Sequence, residues 1–316
     1  MNRPYRTLNS YLREQYGVKL RKICIDGGFT CPNRDGTCGT GGCIFCGERG
    51  AGEQLNPSLS IRAQVEAALK KADPEALWIA YFQNFTNTYA APEVLKERYD
   101  AALFDPRIRV LDIGTRPDCI DETIAALLAS YRERCEVWVE LGLQSANEQT
   151  AARINRGYQN HTFTHAVRLL KQYNLPVIVH MILGLPGETQ EDIRNTIAFL
   201  NRHQIDGIKL HSLFVMKDTV LADWYQSGQF TPISMQTYIE WAMDALTLLD
   251  PNIIVHRLHG NCLRKLLLGP DWIIRRDMIL YSIDCRMKQN GWRQGCFFTK
   301  EPSLAVPCET AYSLDF

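Results

Sequence analysis

The stretch Cys31-Pro-Asn-Arg-Asp-Gly-Thr-Cys38-Gly-Thr-Gly-Gly-Cys43-Ile-Phe-Cys46 follows an apolar run at residues 20–26 and is dense in thiols and glycines. A chain of this kind suits wrapping around an inorganic cluster. The thiolates of Cys31, Cys43 and Cys46 are enough to hold three irons of a four-iron cluster, leaving the fourth iron open to another molecule. Zinc fits less well. A structural zinc site takes four ligands, commonly as two close pairs. Here one close pair is joined by a more distant thiol, and no histidine lies nearby to complete a tetrahedron.

Outward from this loop, short apolar runs alternate with helical periodicity. The runs cover residues 20–26, 77–83, 109–115, 136–143, 176–183 and 207–214, and several end in Gly, Thr or Gln. Between them, Ile61, Val65, Ala68 and Leu69 share a helical face, as do Phe163, Ala166, Val167 and Leu170. The acidic turn at residues 188–192 suits a helix N-terminus. Six strand–helix units in series predict a parallel sheet, because parallel neighbours need a crossover. That number suggests an open, partial barrel, with a doubly wound sheet as the other arrangement. In both, the active site lies at the carboxyl ends of the strands. Residues 252–258 read as a further strand after the rhythm changes.

The chain has 316 residues, 46% apolar and 22% charged, with zero formal net charge, so it is no overall polyanion glove. It starts without an apolar leader core and has no apolar run of membrane-spanning length, so a cytoplasmic protein is expected. Eleven cysteines are mostly expected to be reduced and packed. Cys262, Cys285, Cys296 and Cys308 are widely spaced, which favours free thiols over a second cluster. From Pro251 to Lys300 there are nine basic against three acidic residues, which is either a solvated face or a polyanion contact.

Several stretches together resemble the radical S-adenosylmethionine superfamily, in its bacterial YhcC/YtqA-type group related to the elongator catalytic subunit's radical domain. They are Asp26-Gly-Gly-Phe-Thr-Cys31-Pro-Asn-Arg-Asp-Gly36, Gly41-Gly-Cys43-Ile-Phe-Cys46, Ala80-Tyr-Phe-Gln83, Gly114-Thr-Arg116-Pro-Asp118, Glu140-Leu-Gly-Leu-Gln144, Ile154-Asn-Arg156-Gly157 and Gly184-Leu-Pro-Gly-Glu188. The resemblance implies a partial (β/α)6 barrel of the radical SAM type over residues 20–216. A segment at 1–19 precedes it, and a C-terminal α/β extension at 217–316 follows as a substrate-side cap. The superfamily spacing is commonly Cys-x3-Cys-x2-Cys. Cys38, which is nearer to that spacing, therefore rivals Cys31, whereas the group's motif position selects Cys31.

The resemblance also implies a [4Fe-4S] cluster whose open iron binds S-adenosylmethionine. One-electron cleavage of the sulfonium then gives a 5′-deoxyadenosyl radical that abstracts hydrogen, with flavodoxin or ferredoxin as electron donor. The cofactor supplies that reactivity, and the protein supplies position and protection. The expected cofactor contacts are Gln83, Asn84, Arg116, Glu140, Gln144 and Arg156, with Arg156 forked on the methionine carboxylate, and the turn Gly184, Leu185, Pro186 and Gly187. Lys209 and His211 alternate on one strand and share a face, suited to orienting substrate or moving protons. His180 and His256 are structural or functional. Kinship and the basic C-terminal stretch together suggest tRNA, at the wobble uridine side chain. A small metabolite or protein substrate is the alternative, and a non-enzymatic iron–sulfur or zinc sensor or carrier is a third reading.

Overall fold

The computed structural model describes residues 3–50, 52–70 and 73–300; Cys308 lies outside them. Helix α1 (Leu8–Tyr16) leads into β1 (Arg21–Ile25), then α2 (Ile61–Leu69), β2 (Trp78–Phe82), α3 (Pro92–Ala102), β3 (Ile108–Thr115), α4 (Glu122–Ser130) and β4 (Glu136–Gln144). Two helices, α5 (Glu148–Arg153) and α6 (Asn160–Gln172), precede β5 (Val177–Leu183), followed by α7 (Gln190–Arg202) and β6 (Gly207–Ser212). The rest comprises β7 (Val215–Met216), α8 (Val220–Gln226), α9 (Met235–Leu248), β8 (Ile254–Arg257), β9 (Leu267–Gly269) and α10 (Arg276–Gln289).

Local chemistry accounts for the boundaries. Thr7 with Ser10 and Thr189 with Asp192 form reciprocal caps on α1 and α7, and Ser60, Asp121, Asn147 and Ser234 cap other helices. The strands read as continuous apolar runs because helices cover one face and the barrel lumen buries the other. Phe82, Leu111, Ile113, Leu141 and Leu183 are fully buried, each contributing about 1.5–3 kcal/mol by leaving water.

All seven strands of the main sheet are parallel, in the order β1-β2-β3-β4-β5-β6-β8. The sheet is curled. Lys209 on β6 places its ammonium 3.2 Å from the Tyr81 hydroxyl on β2, four strands away. In a flat sheet that gap would be about 19 Å. The expected open, partial barrel with a parallel sheet is present, and among the described residues the sheet also carries a seventh strand, β8, from the stretch that follows residue 216. Helix α9, packed on α7 and α10, is the crossover that carries the chain back to lay β8 beside β6. The N-terminal segment then closes that edge, with the Val255 amide donating to the Arg6 carbonyl at 2.8 Å.

Candidate functional site

The long gap between Cys31 and Cys43 is a small hairpin that returns to its origin. The Cys31 carbonyl accepts from the Arg34 and Asp35 amides, the Cys38 amide donates to the Pro32 carbonyl at 2.8 Å, and Gly42 donates to Asn33 at 2.8 Å. Gly41 and Gly42 both sit at φ +77°, where a side chain would be strained. The hairpin is strapped to the end of α5. Buried Asn33 donates its side-chain amide to the Asn155 carbonyl at 2.6 Å, and Asn155 answers with an amide bond to the Gly42 carbonyl at 2.8 Å. Below it, Ile44 packs with Ile154, Leu185, Leu213 and Leu221.

This arrangement places Cys31, Cys43 and Cys46 around one cavity of about 300 Å³ at the carboxyl ends of the strands. Cys38 stays exposed on the hairpin, outside the lining. A hydrogen bond from Cys43 and the neighbouring Arg34 guanidinium hold the Cys46 thiol down at about 7 despite its burial. The same bond, together with burial, pushes Cys43 well up. Among the described residues, no three His, Cys, Asp or Glu side chains form a group that could hold a single ion. Three thiols spread around a cavity, one readily ionised and flanked by cations, are the donor set a cluster with several irons takes.

At the cavity floor and beneath it lies a belt of titratable residues, one from each of five strands. Lys22 on β1 pairs with Asp112 on β3 at 2.7 Å and lies 3.6 Å from Glu140 on β4. The other Glu140 oxygen accepts from Lys209 on β6 and stands 2.7 Å from the His180 ring on β5. The Glu140 oxygen that faces Lys22 is buried without a hydrogen-bond partner. Against burial, Lys209 and Lys22 hold Glu140 well below the usual carboxylate range. Burial and the nearby Glu140 charge push Asp112 up to about 7. Burial also pulls Lys209 down to about 8 and lowers His180 and, more strongly, His211.

The expected contacts divide. Gln83, Arg116, Glu140, Gln144, Lys209 and His211 line the cavity, as do His180 and Arg257. Asn84 does not. Its amide donates to Asp26 at 3.0 Å, behind the thiol loop. Nor do Gly184, Leu185, Pro186 and Gly187 line it. Leu185 is buried against Ile44, and the Pro186 carbonyl accepts from Arg153 at 2.8 Å, so this turn buttresses the thiol loop.

Arg156 reaches the cavity wall, but its guanidinium is saturated. It donates to the Tyr158, Leu143 and Ser145 carbonyls and to Glu148 and Asn160, which uses all five N–H groups. In this arrangement none is left for the expected carboxylate. Arg116 likewise forks onto Asp118 at 2.6 and 2.9 Å.

Lys22, Asp112, Tyr81, Tyr158 and Arg34 escaped the sequence reading. A titratable residue within five of the apolar strands was the available signal: Lys22, Asp112, Glu140, His180 and Lys209. A second cavity of about 460 Å³, at the amino ends of the strands beside Glu136, Trp138 and Asp206, carries no thiol.

Comparison with known proteins agrees with this geometry. The family model of the Radical SAM superfamily matches residues 34–200, and that of the Radical_SAM C-terminal domain matches 205–289. YtqA of Bacillus subtilis is 36% identical over 300 residues, covering 94% of this chain and 93% of its own. The tRNA uridine(34) acetyltransferase of Dehalococcoides mccartyi is 30% identical over 152 residues, covering 47% of this chain and 32% of its own. The solved Elp3 of Methanocaldococcus infernus has a TM-score of 0.65 at 18% identity, covering 87% of this chain and 64% of that one, which shows a shared fold. No helix among the described residues is long and apolar enough to cross a membrane. The matched family model, spanning more than half the sequence, identifies this chain as a member of the radical S-adenosylmethionine superfamily, an enzyme of [4Fe-4S] and S-adenosylmethionine chemistry.

Proposed function

We propose that this enzyme modifies tRNA at the side chain of the wobble uridine. The observation that carries this reading is the similarity to a protein named for uridine 34 of tRNA. The cavity supports it, with thiols at one end and hydrogen-bonding and titratable groups at the other. Arg264, Lys265, Arg275 and Arg276, all exposed, follow in the chain from the cavity-lining residues 261–263 and suit phosphate contacts.

In this reading Cys31, Cys43 and Cys46 hold the cluster. Gln83, Arg116 and Gln144 face S-adenosylmethionine, and the bound pair supplies a hydrogen-abstracting radical upon one-electron reduction by a flavodoxin or ferredoxin. Lys209 and His211 meet the substrate from the floor. Glu140 fixes the Lys209 ammonium and the His180 ring, and the buried belt keeps bulk water from the reacting carbon. Residues 20–216 build most of the cofactor site, and residues 217–316 add the last barrel strand and the substrate side, in a cytoplasmic enzyme.

Anaerobically reconstituted protein is expected to release 5′-deoxyadenosine from S-adenosylmethionine under reduction. Nucleoside profiling of tRNA from a strain lacking the protein is expected to show an altered wobble uridine. An unchanged profile with intact deoxyadenosine formation transfers the chemistry to a small metabolite or protein. Absence of S-adenosylmethionine cleavage by fully loaded protein leaves the sensor or carrier reading.

A further inference from the structure

Arg34 occupies the thiol loop without a counter-ion. Its guanidinium donates to three successive carbonyls, Cys46 at 3.0 Å, Gly47 at 2.5 Å and Glu48 at 3.2 Å. It lies 5.5 Å from the Phe85 ring centroid, lines the cavity and is an electrostatic neighbour of the Cys46 sulfur. It forms no ion pair with any described carboxylate. Arg116, the other arginine beside the thiols, is neutralised by its fork on Asp118. Carbonyl oxygens satisfy the Arg34 donors but leave its charge uncancelled.

We propose that Arg34 sets the reduction potential of the cluster, with its unpaired charge answered by the cluster itself. A four-iron cluster on three thiolates carries a net charge of −1 when oxidised, and one electron from the reductant takes it to −2. A fixed cation beside one thiolate stabilises the second state more than the first, which raises the potential. The three-carbonyl clip also holds the loop beyond Cys46, so position and charge come from one side chain. The inference rests on Cys46 being a cluster ligand.

The test uses the full chain reconstituted anaerobically as wild type, Arg34→Gln, Arg34→Lys and Arg116→Gln. Iron and sulfide are assayed, and the reduced cluster is titrated by electron paramagnetic resonance against titanium(III) citrate. Arg34→Gln is expected to lower the midpoint potential so that the reduced fraction falls about tenfold at fixed potential, about 59 mV for one electron. Arg34→Lys keeps the charge and is expected to stay near wild type, although it cannot span three carbonyls and unfolds at lower temperature. Arg116→Gln is expected to shift less than Arg34→Gln.

An unchanged potential in fully loaded Arg34→Gln overturns the proposal, as does a potential in Arg34→Lys as low as that of Arg34→Gln. If Arg34→Gln fails to load, Arg34→Lys decides. A retained potential supports the charge role, and a potential that drops along with the unfolding temperature refutes it. A Cys46→Ala variant with Arg34 intact that keeps its full cluster sinks the ligand assignment instead, a separate result.

Discussion

Replacing Arg156 with methionine separates two roles that its position allows. Methionine approximates the length of the side chain without its donors. The Leu143, Ser145 and Tyr158 carbonyls then lose a charged partner, and Glu148 and Asn160 lose theirs. Each buried acceptor left unpaired costs about 1–3 kcal/mol, and removing one side of a buried charged interaction typically costs about 3–5 kcal/mol in total. We take about 4 kcal/mol. For 316 residues the unfolding entropy is about 0.66 kcal/mol/K, so the expected fall in Tm is about 6 °C. Arg156→Lys, which cannot reproduce the fork, is expected to recover only a minor part. Thermal unfolding of reconstituted protein by circular dichroism reads the effect, with S-adenosylmethionine binding measured on the same samples. A Tm within a degree of wild type, together with a tenfold or greater loss of S-adenosylmethionine affinity, would refute the reasoning and restore Arg156 as a ligand of the methionine carboxylate.

Three further outcomes are expected. Cys31→Ala abolishes the iron–sulfur chromophore while Cys38→Ala retains full iron and sulfide, because only the former thiol lines the cavity; the reverse pattern would reassign the ligand. Burial raises the Glu188 carboxyl from 4.5 to about 7, so its stabilising contribution is present below about pH 4.5 and is lost as pH rises through 7, about 3 kcal/mol in all. Glu188→Gln is therefore expected to flatten the decline of Tm between pH 5 and 8, and a parallel decline in both proteins would count against the shift. Lys209→Met leaves Glu140 short of a buried partner and is expected to cost about 3–5 kcal/mol; adding Glu140→Gln should recover part of it, as denaturant titration of the double-mutant cycle would show, and strict additivity would argue against the pairing.

The strands were legible because a sheet buried on both faces writes itself as uninterrupted apolar runs, and the six expected runs match β1 to β6 within two residues at each end. The run at 252–258 was also legible as a strand, but its membership in the barrel was not. That depends on α9 crossing from β6 to β8, a pairing settled by packing rather than by local pattern. The polar residues at strand ends were good candidates only where their side chains face inward. Gln83 and Gln144 do, whereas Asn84 turns to Asp26 and the 184–187 turn packs beneath the thiol loop.

Thiol number and spacing, the apolar rhythm and the parallel sheet are properties of the amino-acid order, because each follows from a residue's own chemistry and its near neighbours. Which thiols share a cavity is a tertiary matter. The choice between Cys31 and Cys38 turns on a strap between Asn33 and Asn155, residues 122 positions apart. The same holds for Arg156 and for the charge belt. A guanidinium reads as an anion receptor until burial gives it carbonyls, and titratable residues on five separate strands become one network only when the sheet curls.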